Sequence, residues 1–335
     1  MSTAVPGRAE RLRAVRSDNN SAGYRCRREV RDHRQTHLGR RSHLETASSY
    51  VFLGYTQAEL DASYDQAKYA PNRDVVMRRT TASGARAHER LTKPVQVAYG
   101  THEAEKIEIF RTARVPAPIV AFIHGGGWKT NSASRFAFVA EPIVAAGAHC
   151  ALIDFSGIET VDGRLDVLAD QVRRAVAWLG DNAATLGGDP RQLYLAGHSS
   201  GAHLAATVIA AGDTSSRSIR GAVLCSGMYE LAPVALSRRS SYVRFDEATI
   251  AALSPMRHLE RIEAPVVIAF GTEETPEFQR QGRDFAQALQ ERGHDARLIV
   301  AEGYNHFEIA ETFGNPFGVI GAAVIAFFTR YGQDP

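Results

Sequence analysis

Past Pro94 the chain alternates short apolar, β-branched runs with longer amphipathic stretches, and few folds accept that pattern. The runs are Val95–Tyr99, Ile107–Phe110, Ile119–Ile123, Cys150–Ile153, Leu193–Leu195, Ala222–Cys225, Val266–Phe270 and Ala296–Val300. Helical patterns separate the later ones, at Arg135–Ala146, Asp166–Leu179, Ala202–Ala211, Glu277–Arg292 and Pro316–Arg330. Parallel neighbours need a long crossover, which a helix supplies, and apolar strands without polar alternation are covered on both faces. The first two runs have only a short turn between them, so they should pair as an antiparallel hairpin. The pattern predicts an α/β chain with an eight-stranded, mostly parallel sheet and helices on both faces. Only residues 226–262 are spare for a cap, which must be small.

Upstream of the sheet, Gln57–Tyr69 carries Leu60, Tyr64 and Ala67 at helical spacing, and Pro71 ends it. Residues 1–48 hold neither period and read as a basic, unstructured N-terminal extension to a domain spanning 49–335. Residues 1–50 contain eleven Arg and no Lys against five acidic residues, so they carry +6 of a chain total of only +2. Such a run is ordinarily solvated; the sharper alternative is an arm that docks on an anionic partner. A total near neutrality favours neither nucleic acid nor an anionic membrane as partner.

The longest apolar run, Val319–Phe328, is ten residues, short of a membrane span. The N-terminus lacks the apolar core of a secretory signal, and Glu10, Asp18, Glu29 and Asp32 argue against a transit peptide. Cys26, Cys150 and Cys225 lie far apart without metal-ligand spacing, which fits a reducing, cytoplasmic setting with no metal. A homo-oligomer stays open.

The strongest chemical signal is Gly197-His198-Ser199-Ser200-Gly201, set between the run Leu193–Ala196 and the helical stretch from Ala202. A serine on a sharp strand-to-helix turn projects its hydroxyl, and glycines two residues away let strand and helix approach. Ser199 occupies the tip; Ser200 contributes its backbone N–H to an oxyanion site. The structural alternative, a Ser/Gly turn that merely caps a helix, does not need the preceding strand. In chain order with eight such strands, this is the plan of the α/β-hydrolase fold.

Upstream, His124-Gly125-Gly126-Gly127-Trp128 follows the run Ile119–Ile123 directly. Fixed backbone N–H groups stabilise a tetrahedral oxyanion, and glycines keep side chains out of its way. Gly125 and Gly126 are the expected donors. His124 should hold the loop by hydrogen bonding, and Gly127, Trp128 and Tyr229 are expected in the substrate pocket. A serine alcohol needs a base, placed in this fold after the last strand, where His306 stands. His198 and His203, on the shoulders of the elbow, read as supports. The acid should follow Val266–Phe270, where Gly271-Thr272-Glu273-Glu274 offers no Asp; spacing favours Glu274 over Glu273, with a more distant Asp as a further possibility.

Together, His124–Trp128, Gly188-Asp189-Pro190, Gly197–Leu204, Ser226–Leu231, Thr275–Phe278 with Gln281, and Asn305–Phe307 resemble the arylformamidase (kynurenine formamidase) branch of the esterase/lipase superfamily. The resemblance spans roughly residues 54–330. It implies hydrolysis of an N-formyl aryl amide without metal or organic cofactor, with Ser199 as nucleophile, His306 as base, and Gly125 and Gly126 in the oxyanion loop. Two positions depart from the family pattern: Gly127 stands where an aromatic is usual, and Glu274 where Asp is usual. Gly127 is shared with the broader hormone-sensitive-lipase-like esterases. The sequence therefore points to a serine hydrolase of a small aryl ester or N-formyl or aryl amide, with N-formylkynurenine as the narrower expectation. A binding protein that keeps the pocket without the chemistry is the alternative from another class.

Overall fold

A computed structural model describes residues 50–129 and 131–331. The basic extension at residues 1–48 lies outside the described residues. Among the described residues the strands are β1 (Val95–Ala98), β2 (Lys106–Phe110), β3 (Ala117–Ile123), β4 (His149–Ile153), β5 (Gly188–His198), β6 (Ile219–Cys225), β7 (Val266–Gly271) and β8 (Ala296–Ala301). They form one sheet in the order β1-β2-β4-β3-β5-β6-β7-β8. β2 runs antiparallel to both β1 and β4, and every later pairing is parallel. The hairpin and the mostly parallel sheet expected from the pattern are both present, in α/β-hydrolase topology.

β3 and β4 are buried at every residue, as strands sandwiched between helical layers must be. One apolar cluster, on one face, is built on Ile119, Ile123, Leu195 and Leu224 with the crossover helices Leu165–Asn182 and Pro276–Glu291. The other is built on Val120, Phe122, Tyr194 and Val223 with the C-terminal helix Val319–Tyr331. The alternation along β3 and β5 assigns successive residues to opposite clusters, so a one-residue slip would exchange the two cores. Each fully buried Leu, Ile or Phe contributes about 1.5–3 kcal/mol, and that penalty fixes the register at which the C-terminal ends of β3 and β5 meet.

The departures from the sequence reading have local causes. The expected helix over Arg135–Ala146 is a 3₁₀ segment, Ala133–Val139, followed by the α-helix Ala140–Ala145. Pro142 has no N–H to bond the Phe138 carbonyl, so the α-helical ladder cannot extend back through that point. The Gln57–Tyr69 stretch breaks into Gln57–Ser63 and Gln66–Tyr69 because Asp65 turns to accept the Ala67 N–H at 3.2 Å. A helix unforeseen in sequence, Arg73–Arg90, buries only Val76, Thr80, Gly84 and Ala87. Gly84 lets it lie against the chain at Arg135, whose carbonyl oxygen would be 2.4 Å from any Cβ placed there. Between β6 and β7, short helices over residues 232–261 form the small cap. No single helix among the described residues is long and apolar enough to cross a membrane.

Candidate active site

β5 ends at His198, and the helix Ser200–Ile209 starts two residues later, leaving Ser199 to make the whole turn. Its backbone is held at φ 55°, ψ −124°, a conformation that costs a non-glycine residue about 1–3 kcal/mol and is tolerated where function requires it. Gly201 permits the turn: a Cβ there would meet the Ile123 carbonyl oxygen at 2.1 Å.

Ser199 Oγ donates to His306 Nε2 at 2.9 Å, and His306 Nδ1 donates to Glu274 Oε2 at 2.7 Å. All three side chains are buried. His306 opens the short helix His306–Glu311. Asn305 caps that helix in a reciprocal box with Glu308, and Asn72 bonds both Asn305 and Glu308. The imidazole is thereby fixed from its backbone outward.

Glu274 is the acid, and Glu273 points to solvent. The Glu274 carboxylate also accepts from Ser226 Oγ at 2.6 Å, the Gly271 N–H at 2.8 Å and Gln66 Nε2 at 3.2 Å. Three neutral donors and the imidazole N–H satisfy a buried anion that would otherwise be costly. Ser226 reaches it from a left-handed backbone, φ 57°, at the end of β6. Sequence reasoning gave Ser226 and Gln66 no role, since Gln66 lies 208 residues from Glu274 in the chain.

The glycine loop faces the nucleophile. A Cβ on Gly125 would stand 3.1 Å from Ser199 Cβ and 2.9 Å from the His198 ring. The Gly125 carbonyl accepts from Asn131 Nδ2 at 2.8 Å and from His124 Nδ1 at 3.0 Å. C=O and N–H point oppositely across a trans peptide, so anchoring this oxygen also fixes the direction of the Gly126 N–H. The His124 ring is stacked on Phe155, 4.5 Å between centroids, and serves the loop, as expected. Asn131 is a positioning residue that sequence reasoning missed. Ser200 is the first helical residue, and first-turn N–H groups have no acceptor within their own helix.

Comparison with known proteins agrees with this geometry. The family model described as BD-FAE matches residues 107–223. A kynurenine formamidase from Danio rerio is 29% identical over 269 residues, covering 76% of this chain and 90% of that protein. One from Salmo salar is 31% identical over 229 residues, covering 65% of this chain and 76% of that protein. The chain belongs to the kynurenine formamidase branch of the α/β-hydrolase esterase/lipase superfamily. A crystal structure of a candidate thioesterase from Silicibacter sp. TM1040 superposes with a TM-score of 0.69 at 25% identity, covering 81% of this chain and 99% of that one. The triad in this fold is the apparatus of a serine hydrolase acting on a small ester or amide.

Within this formamidase-branch chain, Ser199 and His306 open into a cavity of about 630 Å³, walled by Gly125, Gly126, Gly127, the Arg73–Arg90 helix at Met77, and the cap at Tyr242. That volume suits a small organic molecule. Trp128 and Tyr229, expected in its wall, are not there. Trp128 is buried, with Nε1 donating to His203 Nδ1 at 3.3 Å and Phe245 at its edge. Tyr229 stacks on Phe285, 4.3 Å between centroids, in the interior. Both are large side chains whose burial is worth more in the core than at a solvated rim. No group of three or more His, Cys, Asp or Glu side chains among the described residues is placed to hold a metal ion.

His198 and His203 are supports, as read from sequence. His198 Nε2 donates to the His306 carbonyl at 3.0 Å, and burial together with the His306 charge holds its pKa well below the usual histidine range. His203 Nε2 donates to the Leu253 carbonyl at 2.8 Å, and burial lowers its pKa to about 4. The unfolded chain takes up a proton near pH 6.5, before folded His203 does. Stability is therefore complete above pH 6.5 and falls as pH drops toward 4, by about 3 kcal/mol at this position. Urea unfolding between pH 7 and 4 should show that slope, and His203→Gln should remove its share; an equally steep slope in the variant would contradict the assignment.

Proposed function

We propose that this chain hydrolyses small aryl esters and N-formyl aryl amides through an acyl-enzyme, with N-formylkynurenine the first formamide to test. The observation that carries the reading is the unbroken chain of hydrogen bonds from Ser199 Oγ through His306 to Glu274. Ser199 Oγ attacks the carbonyl carbon while His306 Nε2 takes its proton, and Glu274 holds the tautomer and stabilises the imidazolium. The carbonyl oxygen becomes an oxyanion that accepts from the N–H groups of Gly125, Gly126 and Ser200, each worth about 2.7–4 kcal/mol of barrier. His306 then protonates the departing phenol or arylamine. Water, deprotonated by His306, attacks the acyl-Ser199 ester and releases the acid, formate in the formamide case. Neither metal nor organic cofactor has a part in these steps.

The kynurenine formamidase relatives support the formamide side of the proposal, and the open cavity beside Gly127 supports tolerance of an aryl group. A cytoplasmic setting belongs to the same proposal, because Cys150 and Cys225 are free, buried thiols. The test compares kcat/KM for N-formylkynurenine and p-nitrophenyl acetate, with Ser199→Ala as control. Turnover of both, each lost in the variant, is expected. Ester hydrolysis without any turnover of the formamide would overturn the formamidase reading.

A further inference from the structure

The cavity over Ser199 is lined by more cations than carboxylates. Arg73, Lys129, Arg135, Arg238 and Arg239 line it, against the carboxylates of Asp61 and Asp65. Among the described residues neither carboxylate is paired with a cation: Asp61 accepts the Arg238 backbone N–H at 2.6 Å and Gln57 Nε2 at 3.1 Å, and Asp65 accepts the Ala67 N–H at 3.2 Å. Lys129 is paired with Glu159 at 2.9 Å, and Arg73 lies 3.8 Å from Asp74. Arg238 has no ion pair among the described residues but is exposed; Arg135 and Arg239 are half-buried. Among the described residues neither forms an ion pair, and the Nε of each is buried without a hydrogen-bond partner.

Arg239 has the geometry of a ligand-binding group. Its Nη1 donates to Tyr242 Oη at 2.9 Å and its Nη2 to the Tyr64 carbonyl at 3.1 Å, both neutral acceptors. Five N–H donors minus these two leave the guanidinium with unused capacity. Its plane is steadied by the Trp128 and Phe278 rings, 5.6 and 6.0 Å from Cζ. Nη1 lies 3.2 Å from where a Cβ of Gly127 would stand, while Gly125 abuts Ser199. Two residues of chain, at most about 7 Å, separate Gly127, which the guanidinium abuts, from Gly125 beside the nucleophile. A partly buried cation without a partner is unfavourable unless an anion arrives with the ligand, and a guanidinium fork matches a carboxylate edge to edge. Arg135 is turned toward the Met77 carbonyl and sulfur, beside Arg73.

We propose that Arg239 is a specificity residue that binds a carboxylate on the substrate, so that the enzyme selects anionic esters and amides over neutral ones. The proposal rests on the hydrolase reading of the Ser199 site and adds the charge class of its substrate.

The test pairs (4-acetoxyphenyl)acetate with its carboxamide, esters that differ in charge at a group insulated from the leaving oxygen. Wild type should favour the carboxylate by about 10- to 100-fold in kcat/KM, chiefly through KM, the scale of a charge-assisted hydrogen bond. Arg239→Met should bring that ratio down at least tenfold, and Arg135→Met should preserve it. A wild-type ratio near one, an equal loss on both esters in Arg239→Met, or collapse of the ratio in Arg135→Met alone would each overturn the assignment. Should Arg239→Met fail to fold, inhibition of wild type decides instead. (4-Hydroxyphenyl)acetate should inhibit carboxamide hydrolysis competitively and at least tenfold more strongly than its own amide; equal inhibition overturns the proposal. Carboxamide turnover lost in Ser199→Ala reports separately on the hydrolase reading, and hydrolysis of neither ester would sink both.

Discussion

Replacing Ser199 with alanine should lower kcat on an aryl ester by about 10⁵- to 10⁶-fold. The magnitude follows from the triad acting as a unit: without the hydroxyl, His306 and Glu274 have no nucleophile to activate, and only oxyanion stabilisation and binding remain. Alanine is as strained as serine at the φ of 55° that this position requires, so the substitution leaves the turn itself unchanged. The fold loses a single hydrogen bond, to His306, which is worth about 0.5–1.5 kcal/mol. Steady-state kinetics and urea unfolding on the same preparation check both statements. A variant within tenfold of wild type would place the chemistry elsewhere.

The second large effect concerns the acid. Glu274→Ala should cost about 10³- to 10⁴-fold in kcat, because the Nδ1 proton loses its acceptor and the imidazolium its counter-charge. Glu273→Ala should stay within about threefold, since that side chain faces solvent. The two also separate in stability. Truncating Glu274 strands the Ser226 hydroxyl, the Gly271 N–H and the Gln66 amide in a buried setting. Even partial loss of those bonds amounts to about 3 kcal/mol. Rate and denaturation measurements on the pair of variants check the assignment, and the opposite ranking would move the acid by one position.

Much of this was legible in the sequence, for a physical reason. The elbow and the glycine loop are local: strand, turn and helix in a row dictate both the residue types and their spacing, so Ser199, Gly125 and Gly126 could be read from contiguous segments. His306 and Glu274 followed from strand order, although Glu273 could be set aside only when the turn from Gly271 was seen to direct Glu274 inward. Of the pocket, only the glycine-loop side, Gly127 included, was legible. Its other walls come from the Arg73–Arg90 helix and the cap, and Arg239 meets the Tyr64 carbonyl across 175 residues. Nothing local marks such a contact. The same limit misplaced Trp128 and Tyr229, because an aromatic beside a motif looks alike in sequence whether it turns toward ligand or core. The Arg73–Arg90 helix escaped notice because its buried face is built mainly of Thr, Gly and Ala, which carry little hydrophobic periodicity.

Catalysis here depends on one activated oxygen, Ser199 Oγ, which a fluorophosphonate probe with peptide mapping tests directly. One adduct per chain is expected, on the peptide containing Ser199, absent in Ser199→Ala and formed at least a thousandfold more slowly in His306→Ala. An adduct on any other residue, or labelling of Ser199 at an undiminished rate without His306, would contradict it.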